Sequence, residues 1–260
     1  MRIIAIDWSG AKRGAGKKIW AAEFRDDQPV EELITGRDRE WIKNHLIKAS
    51  QEETVVGLDF AFSFPAWFVQ SQANSAQEMW AKVAEYGENW LRDCDSPFWG
   101  CKGTRRCDLG DKEHYRQTEQ QFRIGAIQPK SVFQILGAGA VGTGSIRGIK
   151  MLHELKPHFA IWPFDGPNLP LIIEIWPRAL TGKVIKSNEK ARSEFISEHY
   201  PNIPMRWRAA SESSEDAFDA VISACVMHKH RAEIRSLKPA TDPTICIEGQ
   251  IWHPSQKETT

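Results

Sequence analysis

Short apolar runs of strand character alternate with segments of helical periodicity along most of this chain, and that alternation leaves few architectures open. RIIAIDW (2–8), TVVGLDFAF (54–62), SVFQIL (131–136), HFAIWPF (158–164) and LPLIIEIW (169–176) are apolar and too short for typical helices. Between them, residues 37–49 place Trp41, Ile42, His45, Leu46 and Ala49 on one face. Residues 75–93 repeat Met79, Trp80, Val83, Tyr86, Trp90 and Leu91 at helical spacing. Further helices are expected near 145–155, 188–199 and 215–230, with a short last strand near 244–248. Strands interleaved with helices predict an α/β fold with a mixed central sheet and flanking helices. KIWAAEFR (18–25) and PVEELI (29–34) follow the first strand across turns and predict an antiparallel meander of the first three strands. Residues 95–130 lose this pattern. They read as an irregular insertion in a single domain spanning 1–260.

Composition narrows the function classes. No apolar run approaches the about 18 residues of a membrane helix, so no membrane partner is expected. The opening MRIIAIDWSG holds too short an apolar stretch for a signal peptide. Without an export signal, five Cys point to a reducing, cytoplasmic setting and not to a disulfide framework. With 34 basic and 34 acidic residues the net charge is zero, so any contact with nucleic acid must come from a local patch.

Acidic residues within otherwise apolar elements carry the chemistry. Asp7 ends a strand after Ile3, Ile4 and Ile6; Asp59 ends Val55, Val56, Leu58; Glu174 sits among Ile172, Ile173 and Ile175. Asp216 and Asp219 are spaced i, i+3 on the helix EDAFDAVISACV, whose Ala217, Ala220 and Ala224 permit close packing on a sheet. A buried, uncompensated carboxylate costs several kcal/mol, so each needs a partner or a cation. Several of them on separate elements predict convergence at one sheet edge. Gathered carboxylates repel one another, and a divalent cation relieves that repulsion. Oxygen ligands favour Mg²⁺ or Mn²⁺ over zinc, and two such ions about 4 Å apart suit phosphodiester hydrolysis. Each acid also has a structural alternative. Asp7 and Asp59 could cap turns, Glu174 could pair with Arg178, and Asp216 could be a first-turn helix residue.

Ile-Asp-Trp-Ser-Gly (6–10), Gly-Leu-Asp-Phe-Ala-Phe-Ser-Phe-Pro (57–65), Ser-Val-Phe-Gln (131–134), Glu-Ile-Trp-Pro (174–177), Asp-Ala-Phe-Asp-Ala (216–220) and Glu-Gly-Gln-Ile (248–251) occur in this order. Together they resemble the family called domain of unknown function 429, labelled ribonuclease-H-like nucleases. The resemblance spans nearly the whole chain, with 95–130 least constrained. It implies a ribonuclease-H-like fold in which acids on the first strand, the fourth strand and the last helix meet. The helix segment is similar to the Asp-x-x-Asp-Ala close of Holliday-junction resolvases of the same superfamily. On that basis Asp7, Asp59 and one or both of Asp216 and Asp219 match metal-ligand positions, and Glu174 matches the family's acidic-Pro motif. The expected activity is Mg²⁺- or Mn²⁺-dependent hydrolysis of nucleic acid. Asp7 would bridge the ions, Asp59 and Asp219 would complete their shells, and Glu174 or Asp216 would coordinate or orient water.

Rival constellations remain. Gly137-x-Gly139-x-x-Gly142, between an expected strand and an expected helix, is a dinucleotide-binding fingerprint, although Gly144 and Gly148 weaken the helix that follows. Cys94, Cys101, Cys107 and His114 lack the short paired spacing of structural zinc sites. In 102–130, Lys102, Arg105, Arg106 and Arg116 are candidate phosphate contacts, with Phe98 and Trp99 close by to stack a base; a solvated loop is the alternative. No Gly-x-Ser-x-Gly elbow or phosphate-loop Gly-Lys-Ser/Thr motif is present. Asp7-Trp8-Ser9-Gly10 distantly echoes the phosphate turn of sugar-kinase and actin-like ATPases, but those duplicate the fold and this chain holds one copy. A relative that binds nucleic acid or protein without cutting is the non-enzyme alternative.

Overall fold

The computed structural model describes residues 1–101, 103–137 and 139–255. Its strands are β1 (Arg2–Asp7), β2 (Trp20–Arg25), β3 (Gln28–Pro29), β4 (Ile34–Thr35), β5 (Thr54–Leu58), β6 (Ala160–Ile161), β7 (Leu171–Ile175) and β8 (Ile251–Trp252). They form one mixed sheet in the order β3-β2-β1-β5-β7-β6, with β4 on β2 and β8 on β7. β1, β2 and β3 pair antiparallel, whereas β1, β5 and β7 run parallel. The expected meander is therefore present. Its third member is split into β3 and β4, since Pro29 has no N–H to extend the ladder and Glu31 and Glu32 are exposed.

The helices are α1 (Arg39–Ala49), α2 (Ala66–Gln70), α3 (Ala76–Asp93), α4 (Gln117–Gln121), α5 (Gly142–Leu155), α6 (Pro177–Thr181), α7 (Glu189–His199), α8 (Met205–Ser213), α9 (Glu215–Lys229), α10 (Arg231–Arg235) and α11 (Ile245–Glu248). Side-chain oxygens start several of them: Asp38 accepts from Trp41 N–H, Ser75 from Glu78 N–H, Asn188 from Ala191 N–H and Ser214 from Ala217 N–H. None of the described helices is long and apolar enough to cross a membrane.

The parallel strands β1, β5 and β7 are buried on both faces, as parallel strands covered by helices must be. Successive residues point to opposite faces, so Ile4, Ile6, Val56, Leu58 and Ile172 pack with α1, α3 and α5 on one side. Ile3, Ala5, Val55, Ile173 and Ile175 pack with α7, α8 and α9 on the other.

Several expected elements differ. Residues 131–136 are not a strand: they form turns, with an isolated bridge from Gln134 to Trp99. Their apolar character fills the core instead, where Phe133 meets Phe64, Trp67, Phe68 and Phe98. The expected strand at 158–164 shrinks to β6, since Pro163 cannot donate to the ladder. Residues 245–248 are helical, and the last strand comes later, at 251–252. The short helices α2, α4, α6, α8, α10 and α11, of four to nine residues, hold too few turns for periodicity to reveal them.

Candidate acidic site at the strand ends

Parallel strands bring their carboxyl ends to one edge, the usual place for sites on such sheets. Asp7 is the last residue of β1, and Asp59 follows β5 directly. Ile6 pairs with Leu58, and the Asp59 N–H donates to the Ile6 carbonyl at 3.2 Å, so the two acids are lateral neighbours. Pleat parity puts Asp7 on the face of Ile3 and Ala5, and Asp59 on the face of Val55. That face is covered by α9, where Asp219, Ser223 and Met227 recur at four-residue steps. Gly57 admits the helix: a Cβ there would lie 2.6 Å from Met227 Sδ. This packing brings Asp219 toward Asp7.

The electrostatics follow from that crowding. Burial, and then the charges of Asp59, Asp219 and Asp216, push the Asp7 carboxyl well above its usual range. Burial and the Asp219 charge push Asp59 up to about 7, against the lowering effects of Lys186 and of a hydrogen bond from Asp7. Asp219 and the half-buried Asp216 are raised too, in both cases mainly by burial. The Lys186 ammonium donates to Asp219 Oδ2, while the buried Asp219 Oδ1 has no partner among the described residues. Lys186 thus relieves part of the repulsion that a divalent ion would relieve.

For Mg²⁺ or Mn²⁺, the donor chemistry fits: hard carboxylate oxygens, one of them buried and unpartnered. As the side chains stand, however, no group of three or more His, Cys, Asp or Glu among the described residues is arranged to hold a metal ion.

Glu174 belongs to a different constellation. It pairs with Leu58 across the ladder and so points with Leu58 to the face opposite Asp7 and Asp59. There it is 2 % exposed, accepts from Phe62 N–H at 2.9 Å, and is gripped by Arg116 through bonds of 2.5 and 2.9 Å. Its expected alternative partner, Arg178, instead donates to the carbonyls of Gly182 and Val184. Arg116 is thereby corrected as well. It is 1 % exposed and is held by Glu174, Glu119 and the Glu248 carbonyl, so its guanidinium is a structural tie and not an open phosphate contact. Arg105 and Arg106 are exposed, with Arg106 set over Trp99 and Tyr115 at 5.9 and 5.6 Å. Lys102 lies outside the described residues.

A cleft of about 710 Å³ opens over the strand ends. Asp7, Asp59, Asp216 and Glu174 line it together with Trp8, Trp176, Lys12, Lys18, Lys130 and Arg147. Gly10 lets the loop after β1 lie flat on α5, since a Cβ there would overlap the Gly144 backbone. Trp8 Nε1 donates to the Gly144 carbonyl at 3.0 Å, and Arg39 and Arg147 clamp the carbonyls of Ser9, Gly10 and Ala11. Lys12 and Lys18 could have been suspected from AKRGAGKK (11–18), which follows Asp7 so closely; Lys186 and Trp176 carry no comparable signal.

The Gly-rich segment also lines the cleft, but without the strand its fingerprint requires. Gly142 serves packing: its N–H donates to the Gln134 carbonyl, and a Cβ would meet Ile135 and Gln134. The five Cys are free thiols. Comparison with family models, with curated proteins and with solved structures finds no match to this chain.

Proposed function

We propose that this chain is a ribonuclease-H-like nuclease that hydrolyses phosphodiester bonds in nucleic acid with Mg²⁺ or Mn²⁺. The observation that carries this reading is the mutual effect of four acids: Asp7 is buried at a strand end and raised further by Asp59, Asp219 and Asp216, at a cleft that also holds lysines. The order of motifs, the antiparallel β3-β2-β1 edge and the parallel continuation through β5 and β7 support the architecture.

Asp7 and Asp59 would hold the metal, with Asp219 Oδ1 as the third oxygen. Bound there, the ion supplies Lewis acidity toward a phosphoryl oxygen and toward the attacking water. Asp216, half-buried at the cleft wall, orients that water and takes its proton. Lys12 and Lys18 hold the phosphate chain against the acids. Glu174 lines the same cleft but is not assigned as a ligand, because Arg116 and the Phe62 N–H engage both its oxygens.

The test is incubation with single-stranded, duplex and branched DNA and RNA in Mg²⁺ or Mn²⁺. Cleavage that disappears in Asp7→Asn supports the reading, and cleavage that survives it assigns the activity to another site or to a contaminant.

One observation favours a second reading. Lys186 already neutralises Asp219, and a site satisfied by its own lysine suits a module that binds nucleic acid without cutting. Such a module would bind equally well in chelator and in Mn²⁺, and would cleave nothing.

A further inference from the structure

We infer that the cleft takes a single strand of nucleic acid and discriminates against duplex, with Trp176 as the platform for an unpaired base. The inference rests on the nuclease reading for the acids and adds the class of substrate.

Trp176 ends the apolar run of β7, caps α6 and lines the same cleft as Asp7 and Asp59. It is half-buried, and among the described rings it meets only Phe122, edge-on at 6.1 Å. A half-buried indole that lines a cleft keeps exposed ring area on which a flat group can pack. Bases present a free face only when unstacked, and aromatic side chains in single-strand sites exploit that.

The cations support the same trajectory. Lys12 and Lys18 lie on the β1–β2 connection, and Lys130 lies just before the Gly-rich turn. All three are exposed, and none has an ion pair among the described residues. Arg147, by contrast, is committed to Glu88 and to the Gly10 carbonyl. Three exposed ammonium groups around a cleft that holds buried acids form a track for phosphates that reads charge without sequence.

Stacking argues against duplex. Asp7 is 9 % exposed and lines, with Trp176, a cleft of about 710 Å³. A flexible strand can bring its backbone to Asp7 while an unstacked base packs on Trp176, and a duplex keeps its base faces covered. Lysines and a tryptophan serve DNA and RNA alike, so the shared chemistry is an unpaired, anionic strand of nucleotides.

The experiment is fluorescence anisotropy in chelator, which prevents cleavage. The probes are single-stranded DNA and single-stranded RNA of about 12 nucleotides, a length within known single-strand site sizes, and the blunt duplex of the same sequence. Both single strands are expected to bind about tenfold or more tightly than the duplex. Trp176→Ala should weaken single-strand binding by about tenfold, Trp176→Phe should retain most of it, and neither should change duplex binding. Replacing Lys12, Lys18 and Lys130 with Gln should lower the single-strand salt slope by about two without changing the melting temperature. A preference for one sugar assigns the strand as DNA or RNA. Equal or tighter duplex binding, or a folded Trp176→Ala protein that binds like the parent, overturns the inference. Binding in chelator is independent of metal use, so failure here leaves the nuclease reading standing, and a failed metal test leaves this result readable.

Discussion

The ammonium of Lys186 is bonded to one oxygen of the Asp219 carboxylate, while the other oxygen, buried, has no partner among the described residues. The lysine occupies the electrostatic role of a cation among four acids whose proton affinity is raised, chiefly by burial. Removing it leaves a carboxylate buried and unpaired, at a cost of about 2 kcal/mol once the remaining exposure of the pair is allowed for. Lys186→Met should therefore melt about 4–8 °C lower than the parent in chelator. It should also gain more from Mn²⁺ than the parent does, because the ion then replaces the lost charge. Thermal melting with and without Mn²⁺ checks both; an unchanged response would remove Lys186 from the site.

Stability should depend on pH through the same acids. Asp59 is raised to about 7 and Asp7 is raised well above its usual range, so across this window the folded protein binds more protons than the unfolded chain. Stability then falls as pH rises from about 4 to about 7, by a few kcal/mol in total. Urea unfolding in chelator should show a lower midpoint at pH 8 than at pH 5, and Asp59→Asn should flatten the difference. Mn²⁺ should stabilise more at pH 8 than at pH 5, because the higher pH favours the deprotonated ligands that the ion binds.

Arg116 and Glu174 should act as structure alone. Arg116→Met strands buried carboxylates and should cost about 3–5 kcal/mol. The double replacement Arg116→Met with Glu174→Met should recover part of that loss, which urea unfolding of the parent, both single variants and the double would measure as a coupling energy. Glu174→Gln should leave the Mn²⁺ response of the melting temperature intact, since its carboxylate faces away from Asp7. Loss of that response would return Glu174 to the metal site.

Asp7 and Asp59 were legible in the sequence because each is a lone acid closing an apolar run, and strand ends are where parallel sheets place their chemistry. Asp219 was legible through the small-residue face of its helix. Glu174 looked identical to them in its run, yet a one-residue difference in parity sends it to the opposite face. Only the pairing of Leu58 with Glu174 reveals that, and pairing between distant strands leaves no local mark. Arg116 sat in a polar stretch that resembled a solvated loop; its burial depends on Glu119, Glu174 and Glu248 meeting it from three separate segments. The run 131–136 had strand composition because it is buried, and burial without a ladder partner has the same composition. Lys186 lies in a connection with no periodicity, so its partner could not be read.

The most direct test of the shared acidic site is a Mn²⁺ titration of the melting temperature in the parent and in Asp7→Asn. In chelator Asp7→Asn should melt higher than the parent, because one of the mutually repelling acids is gone. Added Mn²⁺ should raise the parent by several degrees and leave Asp7→Asn unmoved. A parent that does not respond to Mn²⁺, or a variant that responds as strongly as the parent, would contradict a common ion at residues 7, 59 and 219.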